Sequence, residues 1–492
     1  MKKFFISNLL FLLSLNILIK SFWILGIDRS VQNALPYGEY GLYFALLNFT
    51  YIFNIILDLG ITNFNNRTIA QNTILLKKYF SCILPLKLIL SLVYLIILFI
   101  IAWISGYSGK AFHLLFWLAV FQILTSLITY LRSNISALLL FKVDSLISVM
   151  DKALIIIFCS ILLWTSWGRE RFSLDYFIYA QILSLTITAL TALSICLVKS
   201  GFIRLQWNKN FMLAVLRYGF PFALLTLLMS FYNRLDSVML ERILQDDGIA
   251  SEIYASGFRL IDSVNMIAYL FSVILLPLFA KMIKDHSNIT EIVKISFHLL
   301  LLISFGFAIV SYFYSYDLMD LLYTKHIPQS ANVYKILCFC FIPVSMTYIF
   351  GTLLTANGSM KKLNIVASCG MLLNIGVNIL LIPHFKEIGS AFAALTAQVI
   401  TALLQIWIAL KTFEIKVSKI YILKIFCFIL SLFISAWIVK QISFPWQYKA
   451  LGSLVIFCLL SIVFRLFRLQ DITLLIKSKI DDKKTELRKE NI

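Results

Sequence analysis

Charged residues are scarce in this sequence. Asp, Glu, Lys and Arg make up 14% of it, whereas a soluble domain averages about 25%. Hydrophobic residues make up 61%, and the mean hydropathy is +0.90. Apolar runs long enough to cross a bilayer recur along the chain, and they do not alternate with polar residues as membrane β-strands do. The composition therefore excludes a soluble protein and a β-barrel, and it predicts an all-α polytopic membrane protein.

Motifs for chemistry are also missing. The eight cysteines form no CxxC pair, and the five histidines show no metal-ligand spacing. The sequence contains no Walker motif, no GxSxG and no paired-carboxylate signature. The predicted outer loops are too short for an extracytoplasmic catalytic domain. We therefore predict no catalytic residue, no metal site, no cofactor and no enzymatic activity.

The apolar runs predict about fourteen transmembrane helices. Breaks such as Pro36-Tyr37-Gly38, Asp246-Asp247-Gly248 and Phe444-Pro445-Trp446 separate them. The predicted spans are 4–27, 40–61, 80–104, 111–133, 143–165, 174–198, 214–239, 250–280, 294–316, 333–356, 362–383, 388–411, 418–440 and 447–467. The N-terminus resembles a signal peptide but lacks a cleavage site, so it is interpreted as an uncleaved first helix.

The net charge of +19 follows a membrane pattern rather than a nucleic-acid-binding one. Of the 43 Lys and Arg residues, 28 lie in predicted inner loops and in the C-terminal tail, and ten lie in outer loops. Basic residues concentrate on the cytoplasmic side of membrane proteins. We therefore predict a bacterial inner-membrane protein with both termini in the cytoplasm and no nucleic-acid partner.

A faint internal repeat divides the chain. Two dipeptides, Thr-Tyr and Ala-Gln, recur at similar places in the two halves, at 129 and 347 and at 180 and 397. The predicted domains are an N-terminal lobe of six helices (1–200), a C-terminal lobe of six (201–412), two further helices (413–468) and a basic cytoplasmic tail (469–492). Transporters built from repeats bind their substrate between the repeats.

Three cations stand within predicted spans at similar depth in the outer half of the membrane: Lys20, Arg234 and Arg259. A charge at bilayer depth costs about 2.5–3.5 kcal/mol on insertion scales, so it usually faces a partner or a polar cavity. Positive charge on three helices at one level suits an anionic head group that passes between two lobes. These residues are the predicted substrate-binding cations.

A structural role for these charges remains open. Arg259 and Asp262 are three residues apart on one helix face and can pair. Arg234 and Asp236 point apart, so no acid in its own helix is near Arg234. Lys20 has no acid in its helix and can snorkel to the interface.

The carboxylates Asp262, Asp236 and Asp151 are candidates for pairing or for ion coupling. Lys87 and Asp58 can line an inward-facing vestibule or mark the cytoplasmic boundary, and the boundary is the favoured interpretation.

Several segments resemble the polysaccharide transporter family, whose best-known members are the O-antigen flippases. They are PYGEYGLYFALLNFTYIFNIILDLGITNFNNRTIAQ (36–71), RYGFP (217–221), NRLDSVML (233–240) and YASGFRL through ILLPLFAKM (254–282). The superfamily also contains the multidrug and toxin extrusion transporters. The resemblance covers the chain in helix number and order.

This resemblance implies two six-helix lobes and alternating access. It also implies transport of an undecaprenyl-diphosphate-linked oligosaccharide to the periplasmic leaflet, as in O-antigen and lipopolysaccharide biosynthesis. The implied partners are membrane lipid, a polysaccharide polymerase and a chain-length protein. The family's cationic cavity is carried over to Arg259, Arg234 and Lys20. The alternatives are a lipid II flippase or a multidrug exporter of the same superfamily, and a membrane polysaccharide polymerase.

Overall fold

A computed structural model describes residues 18–464, apart from 20, 139, 202–204 and 416–417. No strand occurs in this part of the chain. The helices are α1 (Arg29–Ala34), α2 (Glu39–Phe53), α3 (Ile61–Gln71), α4 (Leu76–Ile104), α5 (Lys110–Ala137), α6 (Phe141–Trp164), α7 (Ser166–Arg171), α8 (Leu174–Ser200), α9 (Lys209–Leu244), α10 (Ile249–Lys284), α11 (Thr290–Phe313), α12 (Ser315–Leu322), α13 (Ile327–Leu337), α14 (Phe341–Ala356), α15 (Met360–Thr412), α16 (Lys419–Gln441) and α17 (Trp446–Val463).

The prediction of an all-α polytopic membrane protein is confirmed. Within the described residues, eleven helices are long and apolar enough to cross a membrane. One of them, α15, contains two predicted spans, because its backbone leaves helical geometry at Lys386 (φ 49°, ψ −131°). Helix α9 covers the predicted span 214–239 although it is not one of the eleven. The first predicted span lies mostly outside the described residues, as does the predicted tail.

Two predicted span ends near the site are wrong. The first span was predicted to end at residue 27, but a π-helical turn, Trp23–Asp28, runs directly into α1. Asp28 therefore belongs to the helix and not to a loop. The second span was predicted to reach residue 61. It ends instead in a 3-10 turn, Asn54–Leu57, because Leu59 (φ 44°) and Gly60 (φ 81°) adopt left-handed conformations that stop the helix.

The chain packs into two compact units. The first comprises the described residues up to Ser263 together with Met319–Val333 and Met360–Ala397. The second comprises Val264–Leu318, Tyr334–Ser359 and the described residues from Gln398 onward. These units follow packing rather than sequence repetition, and the predicted lobes, 1–200 and 201–412, stay a prediction. Every contact discussed below lies within the first unit.

Candidate functional site

Three cations of the first unit each have a carboxylate partner. Nε of Arg259 lies 2.9 Å from Oδ2 of Asp28. NH1 of Arg234 lies 3.0 Å from Oδ2 of Asp262. Nζ of Lys152 lies 3.2 Å from Oδ2 of its neighbour Asp151. We call these three ion pairs the charged tier. In sum the tier is neutral, so an anionic ligand would have to compete with its carboxylates.

The predicted pairing of the arginines is wrong. Arg259 does not pair with Asp262, which lies on its own helix, but with Asp28 at the start of the chain. Asp262 pairs instead with Arg234, for which the sequence offered no acid in its own helix. Helical spacing identifies only partners on the same helix. Both real partners come from neighbouring helices, and Asp28 was hidden beyond the predicted end of the first span.

Asp28 is the most enclosed member of the tier, with a side chain only 2% exposed. The Tyr40 hydroxyl donates to its Oδ2 at 2.8 Å, and Arg259 Nε donates to that hydroxyl at 3.1 Å. Among the described residues, no hydrogen bond reaches its Oδ1. A buried carboxylate with one unbonded oxygen is costly unless a charge stays close to it. Arg259 supplies that charge.

Arg259 and Arg234 are each held by hydrogen bonds, but neither uses all of its N–H donors within the described residues. A guanidinium has five N–H donors. Within the described part of the chain, Arg259 bonds only through Nε, which leaves both terminal nitrogens without a partner. Arg234 bonds only through NH1, to Asp262 at 3.0 Å and to Asn48 Oδ1 at 3.4 Å. Both groups retain the N–H donors that a phosphate oxygen needs.

Lys87 shows the opposite arrangement. Its three ammonium donors meet Asp58 Oδ1 at 2.8 Å, the Leu57 carbonyl at 2.9 Å and Ser126 Oγ at 3.0 Å. The residue is buried. Lys87 and Asp58 thus hold the chain together at the break between α2 and α3, and their position at the cytoplasmic boundary stays a prediction. A lysine with every donor used is a structural cation and not a ligand-binding one.

Aromatic rings cover the cations of the tier. The Arg234 guanidinium lies 5.3 Å from the Tyr51 ring centre and 5.5 Å from that of Phe258. The Arg259 guanidinium lies 5.0 Å from the Phe44 ring centre. Such faces favour a cation and keep water away from it. The arginines are therefore held as charged groups in apolar surroundings, where an anion binds most strongly.

Lys20, the third predicted cation, lies outside the described residues. A different cation, Lys152, completes the tier. Its ammonium lies 5.5 Å from the Trp23 ring, in the same π-helical turn that carries Asp28. Sequence reasoning placed Asp151 among the acids that could couple to an ion, but its carboxylate is occupied by Lys152. A basic residue beside an acidic one in the middle of an apolar run was the available signal for Lys152.

Asp236 is a different kind of carboxylate. It is buried on α9 and, among the described residues, forms no ion pair. Its Oδ1 accepts from Asn374 Nδ2 at 2.9 Å and from Asn378 Nδ2 at 2.8 Å, and its Oδ2 accepts from the Tyr254 hydroxyl at 3.1 Å. The amide oxygen of Asn378 is buried without a partner. Neutral donors thus stabilise this carboxylate, and its charge is not cancelled.

The predicted outer ends of α2 and α10 meet at glycines. A Cβ added to Gly41 would overlap the carbonyl oxygen of Gly248, and one added to Gly38 would overlap that of Asp247. Gly38 and Gly248 also have φ values of 80° and 86°, which favour glycine. The two backbones can touch in this way only because no side chain separates them.

Polar contacts extend this closure. The Gly38 N–H donates to Glu252 Oε2 at 2.6 Å, and Gln32 Nε2 donates to Ser256 Oγ at 2.8 Å. Asn33 bonds the Leu322 carbonyl and the Thr324 N–H, at 3.0 and 3.2 Å. Lys325 donates to the Leu35 carbonyl. We call the contacts of residues 32–41 with 247–256 and 322–325 the outer latch. It closes this end of the first unit.

We expect His326, which lies next to the outer latch, to make its closure sensitive to pH. Its ring packs edge-on against Tyr37, with ring centres 5.2 Å apart. Burial, and then the neighbouring charge of Lys325, lower the pKa of His326. The closed latch therefore binds fewer protons than an open one in which the pKa is near its ordinary value of about 6.5. Closure should weaken as the pH falls through that value, because protonation then favours the open form.

This expectation can be measured by disulfide formation in Asn33→Cys/Thr324→Cys, in a background without the native cysteines. On going from about pH 8 to about pH 5, the yield should fall by more than the loss of thiolate from the two new cysteines accounts for. Adding His326→Gln should leave only the fall that the thiolate fraction causes. An unchanged profile in that variant would show that another group controls the latch.

Two models of known protein families match this chain. The family model described as "Polysaccharide biosynthesis protein" matches residues 13–283, more than half of the chain. The chain belongs to the polysaccharide biosynthesis protein family. The matched segment contains Asp28, Arg234, Arg259 and the glycines of the outer latch, whereas residues 322–325 of the latch lie beyond it. A second family model, MatE, matches residues 221–380. The predicted family membership is confirmed.

Solved structures share the fold of this polysaccharide biosynthesis protein. One is the lipid II flippase MurJ in an inward closed conformation, with a TM-score of 0.68 and 15% identity, covering 91% of this chain and 97% of that one. Another is an inward-facing MATE family multidrug resistance transporter of the MOP superfamily (TM-score 0.57, 13% identity, 80% and 94% covered). A third is a mutant of the Vibrio cholerae MATE transporter VcmN (TM-score 0.55, 13%, 84% and 96%). No curated protein sequence matches the chain.

Proposed function

We propose that this protein is a flippase for a lipid-linked oligosaccharide. It would move an undecaprenyl-diphosphate-linked repeat unit of O-antigen or a related polysaccharide from the cytoplasmic to the periplasmic leaflet of a bacterial inner membrane. The observation that carries the proposal is the pair of unsaturated arginines. The family membership and the fold shared with a structure named as a lipid II flippase support it.

The depth of the arginines suits a passing head group. Arg259 is ten residues from the start of α10, and Arg234 is ten residues from the end of α9. At 1.5 Å per residue, both lie about 15 Å along their helices from the outer latch. The two arginines are thus at a similar distance from the latch, as contact with one head group requires. A diphosphate at this level could bond the terminal nitrogens of Arg259 while Nε stays on Asp28.

Competition for the arginines gives the site a way to release its ligand. In the empty state Asp28 and Asp262 neutralise the two guanidinium groups. A bound diphosphate would take over part of that role, and the carboxylates would take it back once the head group leaves. The closed outer latch corresponds to the state in which the substrate would enter from the cytoplasmic side.

Asp236 is proposed as the ion-coupling residue, because its charge is not cancelled by a cation. Sodium or a proton at this carboxylate would remove the cost of burying it. Asp236→Asn keeps the shape and removes the charge. We expect it to abolish the response of substrate flipping to imposed sodium or proton gradients in proteoliposomes. Asp262→Asn is the matched control, which should lower flipping without changing its response to the gradient. A full gradient response in Asp236→Asn would refute the coupling role.

A deletion strain tests the proposed function. It should accumulate the complete lipid-linked repeat unit on the cytoplasmic leaflet. Unpolymerised units on the periplasmic side would indicate the polymerase alternative. Loss of peptidoglycan precursors from the periplasmic side would indicate a lipid II flippase. Drug sensitivity without loss of glycan would indicate a multidrug exporter.

We propose that a polysaccharide polymerase and a chain-length protein act on the transported product. We also propose that both termini of this protein face the cytoplasm.

A further inference from the structure

A cavity lies away from the charged tier, near the predicted outer face. It has a volume of about 410 Å³, and part of its wall comes from Ser30 and Asn33 at the end of the first helix. Trp164, Arg169 and Phe172, around the short helix α7, form another part. Thr324 completes it. Because Asn33 bonds Thr324, the cavity exists in this form only while the outer latch is closed.

Arg169 is positioned in this wall by the local fold. The Thr165 hydroxyl accepts the N–H of Gly168 at 3.1 Å and so starts α7. A Cβ on Gly168 would press on the carbonyls of Ile161 and Leu162, so the turn packs closely against the end of α6. Nε of Arg169 then donates to the Leu163 carbonyl at 3.0 Å. Within the described part of the chain, the terminal nitrogens of Arg169 make no hydrogen bond.

Further features point to an anionic lipid head group. Arg29 precedes Ser30 in the same helical run, and its buried Nε has no partner among the described residues. Trp164 leaves about half of its surface exposed beside the cavity. An indole at this level suits the interface between acyl chains and head groups.

We propose that this cavity binds the phosphate of a lipid head group at the outer surface of the membrane. The two terminal nitrogens of Arg169 would donate hydrogen bonds to the phosphate as a bidentate pair. The Trp164 indole would pack against the lipid. The phosphate belongs either to an ordinary anionic phospholipid or to the prenyl diphosphate that the proposed flippase delivers. The site does not depend on the charged tier. The inference therefore rests on the proposed function only in its assignment of which membrane face is the outer one.

Binding to the purified full-length protein in nanodiscs tests this site. The probe is farnesyl diphosphate, titrated by calorimetry into discs of zwitterionic lipid. In the Arg259→Gln background, which weakens the charged tier, Arg169→Gln should weaken binding about tenfold, as expected for the loss of a charge-assisted pair. Arg169→Lys, which keeps the charge but not the fork, should lose about threefold. Arg171→Gln, a nearby arginine outside the cavity wall, should bind as its parent does.

The outcomes separate the two sources of phosphate. If phosphatidylglycerol in the discs displaces the probe, an ordinary phospholipid occupies the site, and if it does not, the site selects the prenyl diphosphate. Unchanged binding in Arg169→Gln would overturn the proposal. If that variant does not fold, Arg169→Lys supplies the same comparison. Normal export in Arg259→Gln together with weak binding in Arg169→Gln would refute the proposed transport site and leave this one standing.

Discussion

Replacing Arg259 with alanine should abolish glycan export per molecule of inserted protein, beyond any fall in protein level that comes from leaving Asp28 unpaired. The guanidinium is the group of the tier that pairs with Asp28, and within the described part of the chain its two terminal nitrogens have no hydrogen-bond partner. Removing it takes away a bidentate, charge-assisted contact with the diphosphate. The measurement is surface glycan in a deletion strain complemented with each variant, with protein levels from membrane fractions.

Conservative and partner variants separate transport from folding. Arg259→Lys should restore export in part, since it keeps the charge and loses the fork. Asp28→Asn should be milder than Arg259→Ala. A purely structural ion pair would make both single variants scarce in the membrane, because leaving one member of a buried pair without its partner costs about 3–5 kcal/mol. Export per molecule of inserted protein would then stay normal.

The double variant and Lys87 complete the test. Recovery of both expression and export in Arg259→Ala/Asp28→Ala would rule out the substrate role. Lys87→Ala is the matched control for a structural cation, because all three of its donors are used inside the fold. We expect that variant to lose expression rather than export per molecule.

Adding one methyl group at Gly41 should also have a large effect on glycan export. Gly41→Ala places a Cβ where the carbonyl oxygen of Gly248 lies, and its next contact is the backbone nitrogen of Glu252. Backbone atoms cannot swing away as a flexible side chain does, so the outer latch must separate. Export should fall at least tenfold, because a cycle that cannot close its outer end loses alternating access.

A matched glycine gives the control. Gly376 lies inside α15, and a Cβ there would meet nothing within 4 Å. Gly376→Ala should leave export unchanged and add about 0.5–1 kcal/mol of helix stability. The latch itself is read from the disulfide of Asn33→Cys/Thr324→Cys, which should form in the Gly376→Ala background and fail in the Gly41→Ala background. A normal disulfide yield with Gly41→Ala would contradict the role of the glycine contact.

Sequence alone predicted the fold class and most spans, because hydrophobic length is a strong signal in membrane proteins. It also found Arg234 and Arg259, since an arginine in an apolar run stands out. It could not find their partners. Asp28 and Arg259 are far apart in the chain, and only packing of the first helix against α10 brings them together.

The outer latch was out of reach for a similar reason. Gly38 and Gly41 are visible in the segment PYGEYG, but a glycine reveals its use only when the backbone it touches is known. The lining of Asp236 by Asn374 and Asn378 is equally nonlocal, because these residues lie on α9 and α15. In a bundle, asparagines more often bond neighbouring helices than ligands, and the sequence does not say which neighbour.

The way α2 and α10 meet has an electrostatic consequence. Both helices begin at the outer latch, so the positive ends of two peptide dipoles face one another. Glu39 lies in the first turn of one helix and Glu252 in that of the other, where negative charge offsets this repulsion. Asp246 adds a carboxylate that accepts the Ala250 N–H at 2.9 Å. Closure of the latch therefore depends on two opposing effects: repulsion between the two positive helix ends and attraction of both ends to the acidic side chains. Separating the helices breaks the contacts of the latch, but it also relieves this repulsion.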